Sequence, residues 1–138
     1  MVAKTNEKEE QLEKLRAEVK NYRSIIENLH GVAYSMTCLG VFTYLSSQIE
    51  QFGYDSQSLV GTSWGKLLVA DDKVKALSDL DELLDGKEPP RRYRLKTKKG
   101  EHRLIEDHGS LVRDSDGKPI AVSGSFVDVT EQVRLMEE

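Results

Sequence analysis

Two turn signatures cut the last third of this chain into three alternating runs, and that partition leaves few folds open. Lys98-Lys99-Gly100 separates residues 92–96 from a run over 101–112, and Asp114-Ser115-Asp116-Gly117 separates that run from residues 119–129. Asp-Gly between alternating segments is the strongest short hairpin signal. Three successive strands joined by tight turns form an antiparallel meander.

Upstream the signals change. Val32, Tyr34 and Met36 alternate with Ala33, Ser35 and Thr37, which predicts a strand over 32–37. Cys38-Leu39-Gly40 supplies a turn, and the β-branched and aromatic run 41–45 predicts its hairpin partner. Over 46–68, Gly53, Gly61 and Gly65 interrupt small apolar clusters (Ile49, Phe52; Leu59, Val60; Trp64, Leu67, Leu68), predicting several one- to two-turn helices. Asp71 or Asp72 is expected to cap a longer helix. That helix carries Val74, Leu77 and Leu80 on one face and has Gly86 at its C-terminal end, before Pro89-Pro90 breaks the chain. The order helix, β-β, short helices, longer helix, β-β-β, helix fits one α+β domain. It predicts a five-stranded antiparallel sheet with short helices on one face.

A long amphipathic helix precedes this domain. Leu12, Leu15, Val19, Tyr22, Ile26 and Leu29 recur at spacings of 3 and 4, an a/d seam among Glu, Lys, Arg and Asn. So narrow an apolar stripe cannot bury itself alone. It fits either a helix packed on its own domain or a parallel dimer seam, and both can hold along different turns. The chain therefore divides into a coiled-coil-like helix over 1–29, a globular domain over 30–130 and the start of an exit helix over 131–138.

Composition narrows the classes of function. The 138 residues carry a net charge of −4, a poor electrostatic match for nucleic acid or an anionic membrane surface. The basic cluster over 91–99 alternates with Tyr93 and Leu95, as a strand with a solvated cationic face does. Cys38 is the only cysteine, so an intrachain disulfide is impossible and a reducing, cytoplasmic setting is expected. No apolar run is long enough to span a bilayer, and the N-terminus lacks the apolar core of a signal peptide. No His-Glu-x-x-His, Gly-x-Ser-x-Gly or phosphate-binding glycine loop occurs. The pairs Asp71-Asp72 and Glu106-Asp107 read as cap and strand residues, so no enzyme activity is expected.

Six elements in order resemble the PAS domain family, including its C-terminal PAC portion, over 22–132. Residues 22–29 are similar to its leading helix and 42–46 to its second strand. Phe52-Gly53-Tyr54 through Leu59-Val60-Gly61 resembles its Gly-Tyr-x-x-x-x-Leu-x-Gly signature, and Ala70-Asp71-Asp72 stands where the family has Pro-Asp-Asp. Residues 94–103 resemble its Lys/Asp-Gly hairpin, and Asp128-Val129-Thr130 its Asp-Ile-Thr joint. Two departures are Leu104, where an aromatic is common, and Val69-Ala70, where His-Pro is usual.

The resemblance implies a sensory or dimerisation module upstream of a histidine kinase, diguanylate cyclase or transcription regulator. Its partners would then be a second copy of itself and a downstream effector domain of the same parent chain. Family members hold haem, flavin or small metabolites between sheet and helices, or nothing. Covalent flavin chemistry of the LOV type needs a reactive Cys in a helix, and residues 49–54 contain none; Cys38 has no adjoining cation to lower its pKa. Haem ligation in the family comes from a His on the longer helix, and none occurs over 71–86. His30 sits at a helix end, while His102 and His108 lie about 20 Å apart at strand rise and cannot chelate one metal. No cofactor and no metal are therefore expected, and a small organic ligand is left open. Its pocket would draw on Trp64, Leu68, Val74, Leu77, Tyr93, Leu95 and Phe126, which equally form a plain core. Leu77→Trp is expected to fill such a pocket.

At the joint, Thr130 can cap the exit helix through its hydroxyl, and Glu131 then suits the helix dipole. The resemblance implies that Asp128 ties the strand end to a nearby basic group, with Arg103 the candidate. Such a hinge is stiff enough to turn the exit helix when the sheet shifts.

Overall fold

The structure is a computed structural model that describes residues 2–137; Met1 and Glu138, the outer ends of the two terminal segments, lie outside the described residues. Helix α1 (Val2–Glu27) leads into β1 (Val32–Met36) and β2 (Phe42–Leu45). A 3-10 turn (Ser47–Phe52), the one-turn helix α2 (Ser56–Leu59) and a second 3-10 turn (Trp64–Leu67) lead to α3 (Ala70–Leu84). Strands β3 (Arg91–Lys96), β4 (His102–Arg113) and β5 (Pro119–Asp128) follow, and α4 (Thr130–Glu137) leaves the sheet. The sheet is five-stranded and antiparallel, in the order β2-β1-β5-β4-β3. All three expected hairpins form, and β5 closes the sheet by pairing with β1 as well as β4.

Alternation decides which face is covered. Val32, Tyr34 and Met36 are buried along β1, Tyr93 and Leu95 along β3, Ile105 and Asp107 along β4, and Val122 and Phe126 along β5. The helices pack on this face through Ile49, Phe52, Leu59, Leu67, Leu68, Ala76, Leu80 and Leu83.

Local chemistry fixes the small helices. The Asp55 carboxylate accepts the Gln57 N–H at 3.1 Å and starts α2. Gly53, at φ +87°, ends the first 3-10 turn in a conformation that costs an L side chain about 1 kcal/mol or more. The Tyr54 hydroxyl then donates to Lys96 O at 2.6 Å, pinning this segment to β3.

Helix α3 departs from expectation at its start. Val69 holds the cap position with no side-chain bond, while Asp71 and Asp72 lie in the first turn. Asp72 reaches instead to β3. It accepts the Arg94 backbone N–H at 2.5 Å and the guanidinium at 2.9 Å, and these bonds from Arg94 hold its carboxyl below the usual range. A carboxylate that finds an arginine across a packed interface outcompetes its own helix terminus. Gly86 closes the other end as expected, at φ +90° with its N–H on Leu83 O.

The apolar face of α3 also differs from expectation. Ala76, Leu80 and Leu83 face the sheet, whereas Val74 and Leu77 are 71% and 63% exposed. The cationic strand face is not simply solvated either, since Arg92 pairs with Glu106 at 3.1 Å and Arg94 with Asp72.

Helix α1 ends on side chains from elsewhere. The Gln48 amide donates to Ile26 O at 2.6 Å, in the last turn, and to Leu29 O at 3.1 Å just beyond it. Before that turn, Leu12, Leu15, Val19 and Tyr22 are all exposed, as is Leu29 beyond it.

Candidate functional site

Two places in the fold concentrate polar chemistry. One is inside, beneath Trp64; the other is the junction of β5 with α4.

The interior site begins with a lane of glycines. Tyr34 on β1 sits opposite Gly124 on β5, and Gly124 sits opposite Gly109 on β4. With no side chain at either position, the Tyr34 ring crosses two strands, and its hydroxyl donates to Asp107 Oδ1 at 2.7 Å. A Cβ at Gly109 would stand 2.9 Å from that hydroxyl, and one at Gly124 would stand 2.2 Å from His108 O. On the other side the Tyr93 hydroxyl donates to Asp79 Oδ2 at 2.8 Å, and Trp64 meets the Tyr93 ring edge-on at 5.3 Å. Burial pushes the Asp107 carboxyl up to about 6, only partly offset by the Tyr34 bond. Burial and the neighbouring carboxylates raise both phenols well above the ordinary tyrosine value.

Two small voids flank this cluster. One of about 20 Å³ is lined by Tyr34, Tyr93, Asp79, Arg91, Asp107 and their neighbours. The other, of about 10 Å³, lies among Phe42, Leu67, Leu68, Ile105 and Phe126. Each holds about one water-sized group. Trp64, Tyr34 and Asp107 line both.

The expected pocket residues are therefore only partly brought together. Trp64, Leu68, Tyr93 and Phe126 touch the voids; Leu95 is fully buried in the core but lines neither. Val74 and Leu77 point away, and Leu77 borders a surface groove with Leu39, Lys66 and Lys73. Leu77→Trp would thus add a ring at the surface and fill no interior pocket. The residues that sequence reasoning missed are Tyr34 and Asp107. Their signal was strand parity: Asp107 alternates in step with Ile105, so a strand that buries Ile105 must bury Asp107 too.

His30, His102 and His108 are all exposed, and Cys38 lies in the turn between β1 and β2. Among the described residues no group of His, Cys, Asp and Glu has the arrangement of a metal site.

At the joint, Asp128 organises three bonds. Its Oδ2 accepts Arg103 Nε at 2.7 Å, and its Oδ1 accepts the Thr130 N–H at 2.9 Å and the Thr130 hydroxyl at 2.6 Å. The Thr130 oxygen in turn accepts the Leu104 N–H at 2.8 Å, and Val129 N–H donates to Leu104 O at 2.8 Å. Thr130 is thus not a cap for its own helix, because its hydroxyl is committed to Asp128 and β4. Glu131 does lie in the first turn of α4. Partial burial alone would raise the Asp128 carboxyl; the bonds from Thr130 and Arg103 outweigh it and hold the group below the usual range.

Comparison with known proteins agrees with this geometry. No curated protein sequence matches the chain. Many solved structures share its fold, three of them as follows. A PAS domain from Colwellia psychrerythraea is 16% identical, with TM-score 0.74, over 82% of this chain and 98% of that one. The N-terminal domain of a diguanylate cyclase with PAS/PAC sensor from Marinobacter aquaeolei is 21% identical, with TM-score 0.66, over 75% and 98%. A domain of a sensory box sensor histidine kinase/response regulator from Geobacter sulfurreducens is 21% identical, with TM-score 0.68, over 83% and 96%. A sequence model of the PAS fold matches residues 42–126, more than half of the chain, and the chain belongs to that family.

Proposed function

We propose that this chain is a sensory relay module. It detects a small cue in its interior and passes a conformational change through β4 and β5 to α4, and from there to an effector such as a histidine kinase or diguanylate cyclase in the parent protein. The observation that carries this reading is the joint. Leu104, three residues from the interior carboxylate Asp107, is bonded to both Val129 and Thr130 at the root of α4. A displacement of β4 around Asp107 therefore reaches the exit helix through a short, hydrogen-bonded path rather than a loose linker. Similarity to domains of a diguanylate cyclase and of a sensor histidine kinase supports the choice of effector classes. The exposed α1 seam supports assembly as a homodimer in the reducing cytoplasm. Among the described residues no helix is long and apolar enough to cross a membrane.

The second reading is a ligand-free interaction or dimerisation module, with no catalytic role in either case. The near-filled interior, with voids of only about 20 and 10 Å³, favours it. Backbone amide relaxation of α4 tests the relay. The reading expects α4 to move with the sheet in the native chain and to move independently in Asp128→Ala and Thr130→Ala. An exit helix already independent of the sheet in the native chain would remove the basis for relay.

A further inference from the structure

The interior polar cluster has an excess of acceptors. The Tyr34 hydroxyl donates its hydrogen bond to Asp107 Oδ1, and the Tyr93 hydroxyl donates its own to Asp79 Oδ2. Asp107 Oδ2 has no hydrogen-bond partner among the described residues, although Asp107 is only 9% exposed and lines both voids. The neighbouring cation Arg91, like His108, acts on it only through its field and gives it no bond. Arg91 is spent on Asp79 O at 2.5 Å, on the Asp79 carboxylate at 3.6 Å, on Lys87 O at 3.2 Å and on Glu82 at 3.4 Å. What remains facing the larger void is two phenol oxygens with free lone pairs and one carboxylate oxygen without a bonded counter-charge.

Size and chemistry together select an occupant. A void of about 20 Å³ takes one group the size of a water molecule. Water would bring two lone pairs of its own into a site already rich in acceptors. An ammonium group brings three donors, no acceptor and the missing positive charge. A buried carboxylate without a counter-charge is the costliest group in such an interior, so a cation there gains most.

We propose that the cavity beside Asp107 binds a protonated amine, either the ammonium ion or the ammonium head of a small primary amine, with Asp107 Oδ2 as its anchor. This names the ligand class for the sensory reading above and rests on that reading for its consequence. The head sits between Asp107 and the Tyr34 and Tyr93 oxygens. Any substituent leads outward past Pro89 and Arg91, which line the same cavity.

The test is a titration of the whole chain at about pH 7.5, where both partners are charged, followed by amide spectra and by the melting midpoint. The probes are ammonium chloride and methylammonium chloride, against sodium chloride and tetramethylammonium chloride at equal ionic strength. Ammonium should shift the Tyr34, Asp107 and Gly109 amides saturably and raise the midpoint, while sodium and tetramethylammonium, which have no N–H, should do neither. Tighter binding of methylammonium than ammonium would identify an amine head as the source, and the reverse order the free ion. Asp107→Asn keeps an acceptor for Tyr34 and should weaken binding roughly ten- to a hundredfold. Tyr34→Phe removes one neutral oxygen beside the head but leaves both Asp107 oxygens, so it should weaken binding by less than about tenfold, which keeps the test decisive if the first variant does not fold. An equal response to sodium, no saturable response to either amine, or unchanged affinity in Asp107→Asn overturns the proposal. A loss of more than about tenfold in Tyr34→Phe would also overturn Asp107 as the anchor. Site shifts with silent Thr130 and Val133 amides would leave the amine site standing and sink the relay. No site shifts, with α4 still moving with the sheet, would do the opposite.

Discussion

Arg103 and Asp128 meet across β4 and β5 at 2.7 Å, Nε to Oδ2, two residues before Thr130 opens the exit helix. Because Asp128 gives its other oxygen to Thr130, one carboxylate clamps the end of the sheet and the beginning of α4 together.

That clamp should be acid-sensitive in a defined direction. The folded Asp128 carboxyl lies below its ordinary value of 3.8, so its contribution is present above that value and is lost as pH falls toward the folded one. Asp128→Asn should be less stable than the native chain near neutrality, by about 1–2 kcal/mol. The gap should narrow as pH drops below about 4. Urea unfolding of both proteins across that range measures it, and a gap that stays constant with pH would show that the charge is immaterial.

Asp107 should behave in the opposite sense. Burial raises its carboxyl from 3.8 to about 6, so the folded state holds a proton that the unfolded chain releases. Stability is fully present below about 4 and is lost as pH rises through about 6, a loss on the order of 3 kcal/mol. Asp107→Asn does not titrate. In amine-free buffer it should gain stability relative to the native chain as pH rises from 4 to 7. If the two pH profiles run parallel, Asp107 titrates normally.

The glycine lane makes a third prediction. An added Cβ at Gly124 meets the His108 carbonyl, which is backbone and cannot give way; at Gly109 it meets the end of the Tyr34 side chain, which can turn aside. Gly124→Ala should therefore cost more than about 3 kcal/mol, and Gly109→Ala about 1–2 kcal/mol. Gly109→Ala should also free the Tyr34 hydroxyl, visible in the tyrosine ultraviolet spectrum. Equal costs would mean that the strands spread to admit either methyl.

Helix α3 shows where the sequence stopped being readable. Val74, Leu77 and Leu80 make one apolar stripe and Ala76, Leu80 and Leu83 another, and helical periodicity supports both. The choice belongs to tertiary contacts that no local pattern contains: Asp79 is drawn inward by Arg91 and the Tyr93 hydroxyl, and Asp72 by Arg94. The strands were legible because alternation and Gly turns act over a few residues, and five of them in that order leave one simple sheet. The Tyr34–Asp107 bond was not, since it joins residues 73 positions apart through two glycines whose purpose appears only once the strands are paired. Leu80→Ala should accordingly cost about 2–4 kcal/mol, and Leu77→Ala no more than about 0.5 kcal/mol. The reverse order in thermal unfolding would restore the sequence-based face.

The last prediction concerns α1. Leu12, Leu15, Val19 and Tyr22 remain exposed along a helix that Gln48 ties to the domain at its C-terminal end. Of the two readings of the seam, packing on the chain's own domain is thus not realised over these turns. A 26-residue helix with its apolar stripe in water gains little from propensity alone. A second copy laid along the same stripe would bury the a/d residues of both. Native mass spectrometry should find a dimer in the native chain and a monomer in Leu15→Glu and Val19→Glu. The domain's melting midpoint, followed through Trp64 fluorescence, should hardly move in either variant at a concentration where both proteins are monomeric, since these side chains touch none of the core. A persistent dimer in both variants would place the interface elsewhere, and a falling midpoint would mean that α1 packs on its own domain after all.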